Sequence, residues 1–326
     1  MKKILITGGA GYIGSHVAEI FLKNSNEVTI IDNLSTGSKK LINKKTHFFH
    51  LDIRNVEKLR QIIKKKNIDT IVHLAAKLSI EESKKKPKEY INNNVYGTKC
   101  LLESIKGSNV KNIIFSSTAA VYSGNKKEYC SEKLKPKPTN LYGLTKLKAE
   151  KIIKKFCKKE KIKCILLRYF NVVGVSNSKK IGPYKNYGQL FKVLAKQSIT
   201  KNPKIFIYGK NHLTKDGSCV RDFIDINDLA DIHNFILNKI KSLKNGTIIN
   251  CGYNKGFSVL EIIKKFNKFS KKNFKIVIKK KRYNEISSIF AINSVLIKLR
   301  WRPKYDDINK TVKNCINWEK RINKFN

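Results

Sequence analysis

Thr7-Gly8-Gly9-Ala10-Gly11-Tyr12-Ile13-Gly14 follows directly on the apolar run Ile4-Leu5-Ile6 and opens the amphipathic stretch Ile13–Lys23. Its glycines at 8, 11 and 14 let a backbone turn tightly and approach a pyrophosphate, whose charge is stabilised at a helix amino terminus. Glycine spacing alone is weak evidence. Here a strand precedes it, a helix follows it, and the next apolar run, Glu27–Ile31, ends at Asp32. A carboxylate there can accept both adenosine ribose hydroxyls and would repel a 2′-phosphate, so the stretch reads as a site for NAD rather than NADP. A structural glycine turn beside an exposed Asp is the competing reading, and the combined context disfavours it.

Outward from this turn the chain alternates. Strands are expected at Ile4–Thr7, Glu27–Ile31, His47–His50, Thr70–Leu74, Asn112–Ser116 and Lys163–Arg168. Helices are expected at Ile13–Lys23, Val56–Lys65, about Glu89 to Ser104, and Tyr142–Glu160. Near-continuous apolar strands alternating with helices imply a parallel sheet covered on both faces, an α/β Rossmann-type doubly wound fold. After Asn171 the rhythm changes. Val175–Gly188 reads as a loop, followed by helices at Leu190–Gln197, Val259–Phe269 and Ile308–Lys320 and short strands at Lys204–Tyr208 and Lys275–Ile278. The expectation is a dinucleotide-binding domain over 1–172 and a smaller α/β substrate-binding domain over 173–326, with a segment near 222–238 packing back on the first.

With 326 residues, 41% of them hydrophobic and 10% aromatic, the chain can bury a large core and is not disordered. No apolar run approaches the ~18 residues of a membrane span, and the amino-terminal apolar stretch is too short for a signal peptide. A cytoplasmic protein is expected, with no membrane partner. The seven cysteines include no Cys-x-x-Cys pair, which leaves zinc ribbons and thioredoxin-type chemistry unsupported; no metal is expected. The net charge is +45, yet only eight of the 69 basic residues are Arg. Lys is spread over nearly every helix, as in Lys64-Lys65-Lys66 and Lys279-Lys280-Lys281. That pattern reads as solvated faces rather than a specific nucleic-acid surface. An Arg retained in such a Lys-biased chain marks a place where a bidentate fork is needed.

A second constellation is Tyr142-Gly143-Leu144-Thr145-Lys146. Residues four apart share a helix face. An ammonium beside a phenol, together with a cationic nicotinamide, favours the phenolate, and such a Tyr can take a proton from a sugar hydroxyl. Tyr-x-x-x-Lys also arises by chance as surface packing. Behind a dinucleotide fingerprint, and one strand–helix unit after Ser116-Ser117-Thr118, it reads as catalytic. Thr118 sits at the strand edge where open sheets bind ligands, and its hydroxyl can both donate and accept; a plain turn-forming Thr is the alternative.

These motifs resemble the extended short-chain dehydrogenase/reductase family, and within it the UDP-glucose 4-epimerase family from end to end. The matching stretches are Thr7–His16, Asp32–Ser35, Asp52–Arg54, Asn93–Val95, Phe115–Tyr122, Arg168–Asn171 and Asp216–Ile224, with the pair Tyr142 and Lys146. The resemblance implies NAD-dependent 4-epimerisation of a UDP-hexose, UDP-glucose to and from UDP-galactose, through a transient 4-keto sugar. It implies a tightly held NAD and a homodimer. Cofactor contacts are implied for Gly8, Gly11, Tyr12, Ile13, Gly14, Asp32 and Asn33, with Asp52 and Ile53 at the adenine. Leu74, Ala75, Lys77, Asn94, Ser116 and Tyr169 complete the cofactor set, alongside Tyr142 and Lys146. On the substrate side the resemblance implies Thr118, Tyr142, Asn171 and Tyr208, with Arg221 and Arg282 on the diphosphate.

The chain departs from that pattern in places. Lys77 stands one position earlier than the family's NAD-contacting Lys. Asp225 replaces a His, Glu285 replaces the uridine-side Asp, and Gln189-Leu190 replaces the pair that covers the diphosphate. Four positions after Glu285 comes Ile289, expected to gate the sugar's 2-substituent. Alternatives are a 4-epimerase of an N-acetylated or uronic UDP-sugar and, remotely, a basic NAD-binding regulatory or nucleic-acid-binding protein. A 4,6-dehydratase would need acids directly after Thr118, where Ala119 and Ala120 stand.

Overall fold

The glycine turn lies at the centre of a seven-stranded parallel sheet. In spatial order the strands are Thr247–Cys251, Lys163–Tyr169, Asn112–Thr118, Thr70–His73, Lys3–Thr7, Glu27–Asp32 and His47–His50. The computed structural model describes residues 1–125, 128–184, 188–282 and 285–323. Chain order reverses between Lys3–Thr7 and Thr70–His73, which both pair in parallel. Such a switch point opens a crevice at the carboxyl ends of the strands. The central strands Lys3–Thr7, Thr70–His73 and Asn112–Thr118 are buried on both faces, as a helix-covered parallel sheet requires, while the edge strand His47–His50 is partly exposed. Leu59 and Ile63 of the helix Val56–Lys65, Leu101 and Leu102, and Ile153 and Cys157 pack against Leu5, Ile71 and Ile113 of the sheet.

The chain divides into two compact units. The first comprises Met1–Gly124, Lys135–Tyr169 and Ala230–Ile249; the second comprises Asn125–Leu134, Phe170–Leu229 and Asn250–Asn326. The returning segment starts at Ala230 rather than near 222, because Val220–Asp225 is a strand of the second unit's own sheet. It pairs in parallel with Asn171–Val173 and Ser288–Ala291 and antiparallel with Gly256–Ser258. A second small sheet pairs Lys204–Tyr208 with Lys275–Lys279. The second unit's core gathers Phe191, Leu194, Ile205, Phe223, Phe266 and Val312. No regular helix or strand occupies 175–184; residues 185–187 of the expected loop lie outside the described residues.

The long helix expected from Glu89 to Ser104 is instead Pro87–Tyr90, a π-helical stretch Ile91–Tyr96, and Gly97–Ser104. Side-chain hydrogen bonds account for the wider turn. Asn94 faces inward; its amide nitrogen donates to Lys77 O and Thr145 Oγ1 and its oxygen accepts from Lys77 N and Asn93 Nδ2, while Thr98 Oγ1 donates to the Asn94 carbonyl at 2.7 Å. Such π-bulges recur where a helix must aim a residue at a site.

Candidate active site

In the first unit, Gly8 has φ +75, and a Cβ there would lie 2.7 Å from Ala75 N. Any other residue would force apart the loops that follow Lys3–Thr7 and Thr70–His73. The helix Tyr12–Lys23 behind this turn has no side-chain cap and no acid in its first turn. A backbone cradle and an uncapped helix amino terminus suit a pyrophosphate. Asp32 ends its strand as expected; its Oδ2 accepts from Ala10 N at 3.0 Å and its Oδ1 from Leu34 N at 2.8 Å, tying the glycine turn to the loop beside it. Asn33 Nδ2 donates to Asp52 Oδ2 at 2.8 Å, and the Arg54 guanidinium on the same carboxylate holds Asp52 well below the usual carboxylate range. The Ile53 side chain is in the core with Leu59 and Leu101, so only its backbone can face an adenine.

Lys77 carries its one-place shift into the structure. Its backbone is stapled by Asn94, and its Nζ donates to Glu89 Oε2 at 2.7 Å with Glu82 at 3.6 Å, which raises its pKa. The ammonium is thus engaged by two acids of its own neighbourhood. Leu74 N donates to Thr7 O at 3.0 Å, which holds Leu74 and Ala75 over the glycine turn. Tyr169 Oη hydrogen-bonds His233 Nε2 at 2.7 Å.

The helix Leu141–Lys159 carries the tyrosine and lysine. Asn140 caps it, its Oδ1 accepting from Gly143 N at 2.8 Å. Gly143 permits close approach: a Cβ there would lie 2.6 Å from Ala120 O. That contact sets the helix start against the turn after Thr118, the last residue of the strand Asn112–Thr118. The Thr118 hydroxyl lies beside the Tyr142 phenol, close enough to work toward a lower pKa there. One turn on, Lys146 is buried; its Nζ donates to Ser116 Oγ at 3.3 Å and lies 4.4 Å from the centre of the Phe115 ring. Thr118, Tyr142, Lys146 and Ser116 therefore converge.

Burial dominates the charge states of the tyrosine and the lysine. Burial pushes the Tyr142 phenol up to about 12, and only the Thr118 hydroxyl works against it. Burial also drives Lys146 down to about 7, opposed by the Glu150 carboxylate. Lys146 is not among the groups acting on the phenol, and the same desolvation lowers its own pKa.

Three groups beneath this site escaped the sequence reading. Glu150 accepts from Arg168 Nε at 2.9 Å and Nη2 at 2.7 Å, and from Ser117 Oγ; Arg168 Nη1 donates to Tyr122 Oη at 2.8 Å. Arg168 and Glu150 are 1% and 3% exposed. The signal was available: Arg168 is one of eight Arg in a Lys-biased chain, and its fork is spent on a carboxylate. The third is His73, buried beside Lys146 and driven down to about 3 by burial and then by Lys146. Thr98 donates to Asn94 O and so must accept from His73 Nε2 (3.0 Å), leaving Nδ1 to accept from Thr7 Oγ1 at 2.7 Å.

In the second unit the expected substrate residues form their own cluster. Arg221 and Arg282 each reach Glu285 Oε1 at 3.6 Å, and the Arg282 guanidinium lies 3.9 Å above the Tyr208 ring. Ile289 stands opposite Arg221 in the sheet register. Asn171 is exposed on the strand beside Phe223. Gln189 precedes the helix Leu190–Gln197, and Leu190 packs against that unit's core. Asp225, in place of the family's His, accepts from Asn227 and from Thr311 Oγ1 at 2.9 Å. Burial raises it to about 6.

A profile of the NAD dependent epimerase/dehydratase family matches residues 4–252. The chain is 34% identical to UDP-glucose 4-epimerase of Lactobacillus helveticus over 320 residues, covering 98% of this chain and 97% of that one. It is 35% identical to the enzyme of the same name from Halalkalibacterium halodurans, covering 97% and 95%. Among solved structures it is similar to UDP-glucose-4-epimerase of Stenotrophomonas maltophila with bound NAD and formylated UDP-arabinopyranose, with TM-score 0.94, 28% identity and full coverage of both chains. It is also similar to the UDP-Glc/GlcNAc 4-epimerase of Campylobacter jejuni, with TM-score 0.85, 36% identity and coverage of 98% and 100%. No helix among the described residues is long and apolar enough to cross a membrane.

Proposed function

The chain belongs to the NAD dependent epimerase/dehydratase family, and from that premise we propose that it interconverts UDP-glucose and UDP-galactose at carbon 4 of the hexose. The observation that carries the reading is the convergence of Thr118, Tyr142 and Lys146 beside the glycine turn. Gly8, Gly11 and the uncapped helix start would hold the cofactor's pyrophosphate, with Asp32 on its adenosine ribose and Asp52, Asn33 and Ile53 toward its adenine. NAD bound there supplies a hydride acceptor and donor for carbon 4 of the sugar.

The residues of this chain handle the proton. The Tyr142 Oη takes the proton of the sugar 4-hydroxyl and returns it after the ring has exposed its other face. Thr118 orients both the phenol and that hydroxyl. Lys146 supplies positive charge to the phenolate, and Ser116 holds its Nζ. Arg221 and Arg282 offer forks to the diphosphate, with Glu285 setting their spacing. Asn171, Tyr208, Gln189, Leu190 and Ile289 are assigned to the rest of the nucleotide sugar by the family pattern. The reading extends to a homodimer, which the family resemblance supports, and to the cytoplasm, which seven buried cysteines in the thiol form support.

The test begins with an absorbance and fluorescence scan of purified protein for bound NAD, followed by incubation with UDP-galactose. Tyr142→Phe retains the cofactor and loses roughly 10²–10⁴ in kcat, the range of a general acid–base group. A Phe variant within tenfold of wild type overturns the assignment. Light scattering of the same sample checks the dimer.

A further inference from the structure

Three ligand-bearing side chains meet in the second unit; His212 and Cys219 have no part in the chemistry above, and Glu285 enters it only by spacing Arg221 and Arg282. His212 lies in the loop after Lys204–Tyr208, Cys219 just before Val220–Asp225, and Glu285 ahead of Ser288–Ala291. One ligand atom from each lies within 4.8 Å of the others. His212 and Cys219 are 4% and 6% exposed, and the thiol Sγ stands 3.2 Å from His212 Nε2.

Glu285 divides its two oxygens. Oε1 faces Arg221 and Arg282, both at 3.6 Å. Oε2 is buried with no hydrogen-bond partner among the described residues. A buried carboxylate oxygen left unsatisfied calls for an explanation, and a bound ion is one.

The donor set selects the ion. Hard cations such as Mg²⁺ and Ca²⁺ take oxygen shells, whereas imidazole nitrogen, thiolate sulfur and one carboxylate oxygen suit a borderline-soft cation of the zinc type. Tetrahedral bonds of ~2.0–2.3 Å place ligand atoms roughly 3.3–3.8 Å apart. Cys219 Sγ stands 3.6 Å from His212 Nδ1, within that spacing, and 3.2 Å from Nε2, slightly short of it; separations of up to 4.8 Å close by side-chain movement of about 1 Å.

We propose that His212, Cys219 and Glu285 form a binding site for one zinc-type divalent cation, with its fourth position open to water or an anion. On binding, the Cys219 thiol releases its proton to solvent and Sγ bonds the metal; nothing is oxidised or reduced. The two guanidiniums beside Glu285 repel the cation, so the site exchanges its metal instead of holding it permanently. Occupancy draws the Glu285 carboxylate toward the cation and away from Arg221 and Arg282. On the reading that those arginines hold the diphosphate, metal raises KM for the UDP-sugar.

The experiment titrates chelator-free, reduced holoenzyme with Co²⁺. The expected result is a thiolate-to-cobalt charge-transfer band that saturates at one equivalent and is displaced by Zn²⁺. Cys219→Ser abolishes the band and His212→Ala weakens binding at least tenfold; unchanged circular dichroism and an unchanged calorimetric transition show that each variant is folded. If one variant fails to fold, the other carries the same decision. No saturable band, or a band undiminished in Cys219→Ser and His212→Ala, refutes the site. Zn²⁺ should raise KM for UDP-galactose in wild type and leave it unmoved in Cys219→Ser. A Cys219-dependent band with an unmoved KM upholds the metal site and removes Glu285 from the substrate.

Discussion

Glu150→Gln leaves the shape of the side chain and removes one charge from a pair that is almost wholly buried. Arg168 donates two hydrogen bonds to this carboxylate, at 2.9 and 2.7 Å, and is itself 1% exposed. Burial alone works to lower the Arg168 pKa, but its Glu150 bonds outweigh that and the net shift is upward. With the carboxylate gone, an unpaired guanidinium stays in the core, at a cost of about 3–5 kcal/mol. For a unit of this size, 1 kcal/mol moves Tm by about 2–4 °C, so the transition should fall by roughly 6–20 °C. A double variant, Glu150→Gln with Arg168→Met, should recover most of that loss, because neither charge is then stranded.

The same substitution reaches the active site. Glu150 is the charge that opposes the desolvation of Lys146, which sits at about 7. Removing it lowers the Lys146 pKa further, so the ammonium is lost at a lower pH and the alkaline limb of the kcat profile moves toward acid. The assay is differential scanning calorimetry of the three proteins, then kcat for UDP-galactose across pH. A single variant destabilised by less than 1 kcal/mol, or a double variant no more stable than the single one, refutes the stranded-charge reasoning. An unmoved pH profile refutes the coupling to Lys146.

Three further outcomes are expected. Ile289→Gly should raise the kcat/KM ratio for N-acetylated over plain UDP-hexoses by 10- to 200-fold, the ~1–3 kcal/mol that apolar pocket discrimination provides; an unmoved ratio places the gate elsewhere. Asp225 is raised from 3.8 to about 6 by burial, so between those values the native chain holds a proton that the unfolded chain has lost, and stability falls as pH rises through the window. The component is worth about 3 kcal/mol, and Asp225→Asn should flatten that part of a denaturation-versus-pH curve; an unchanged slope assigns it to other groups. Binding to nonspecific polyanions should collapse between 50 and roughly 200 mM salt with no sequence preference, since 61 of the cations are dispersed Lys; a sequence-specific complex surviving at the higher salt would contradict that.

Short-range pattern alone determined much of this protein. Apolar runs of strand length, a glycine triplet between strand and helix, and Asp32 at the next strand's end specify a dinucleotide fold, because each depends only on neighbours within a few residues. Helical periodicity likewise put Tyr142 and Lys146 on one face. Tertiary structure alone decided the rest. The protonation of that pair follows from desolvation and from Glu150, whose own partners Ser117 and Arg168 are 33 and 18 residues away. The π-helical turn at Ile91–Tyr96 exists because Asn94 must reach Thr145, 51 residues on. His212, Cys219 and Glu285 have no motif spacing and meet only because separate loops of the second unit converge. Backbone form is read from local sequence, whereas charge state and ligand geometry depend on which distant groups share a low-dielectric interior.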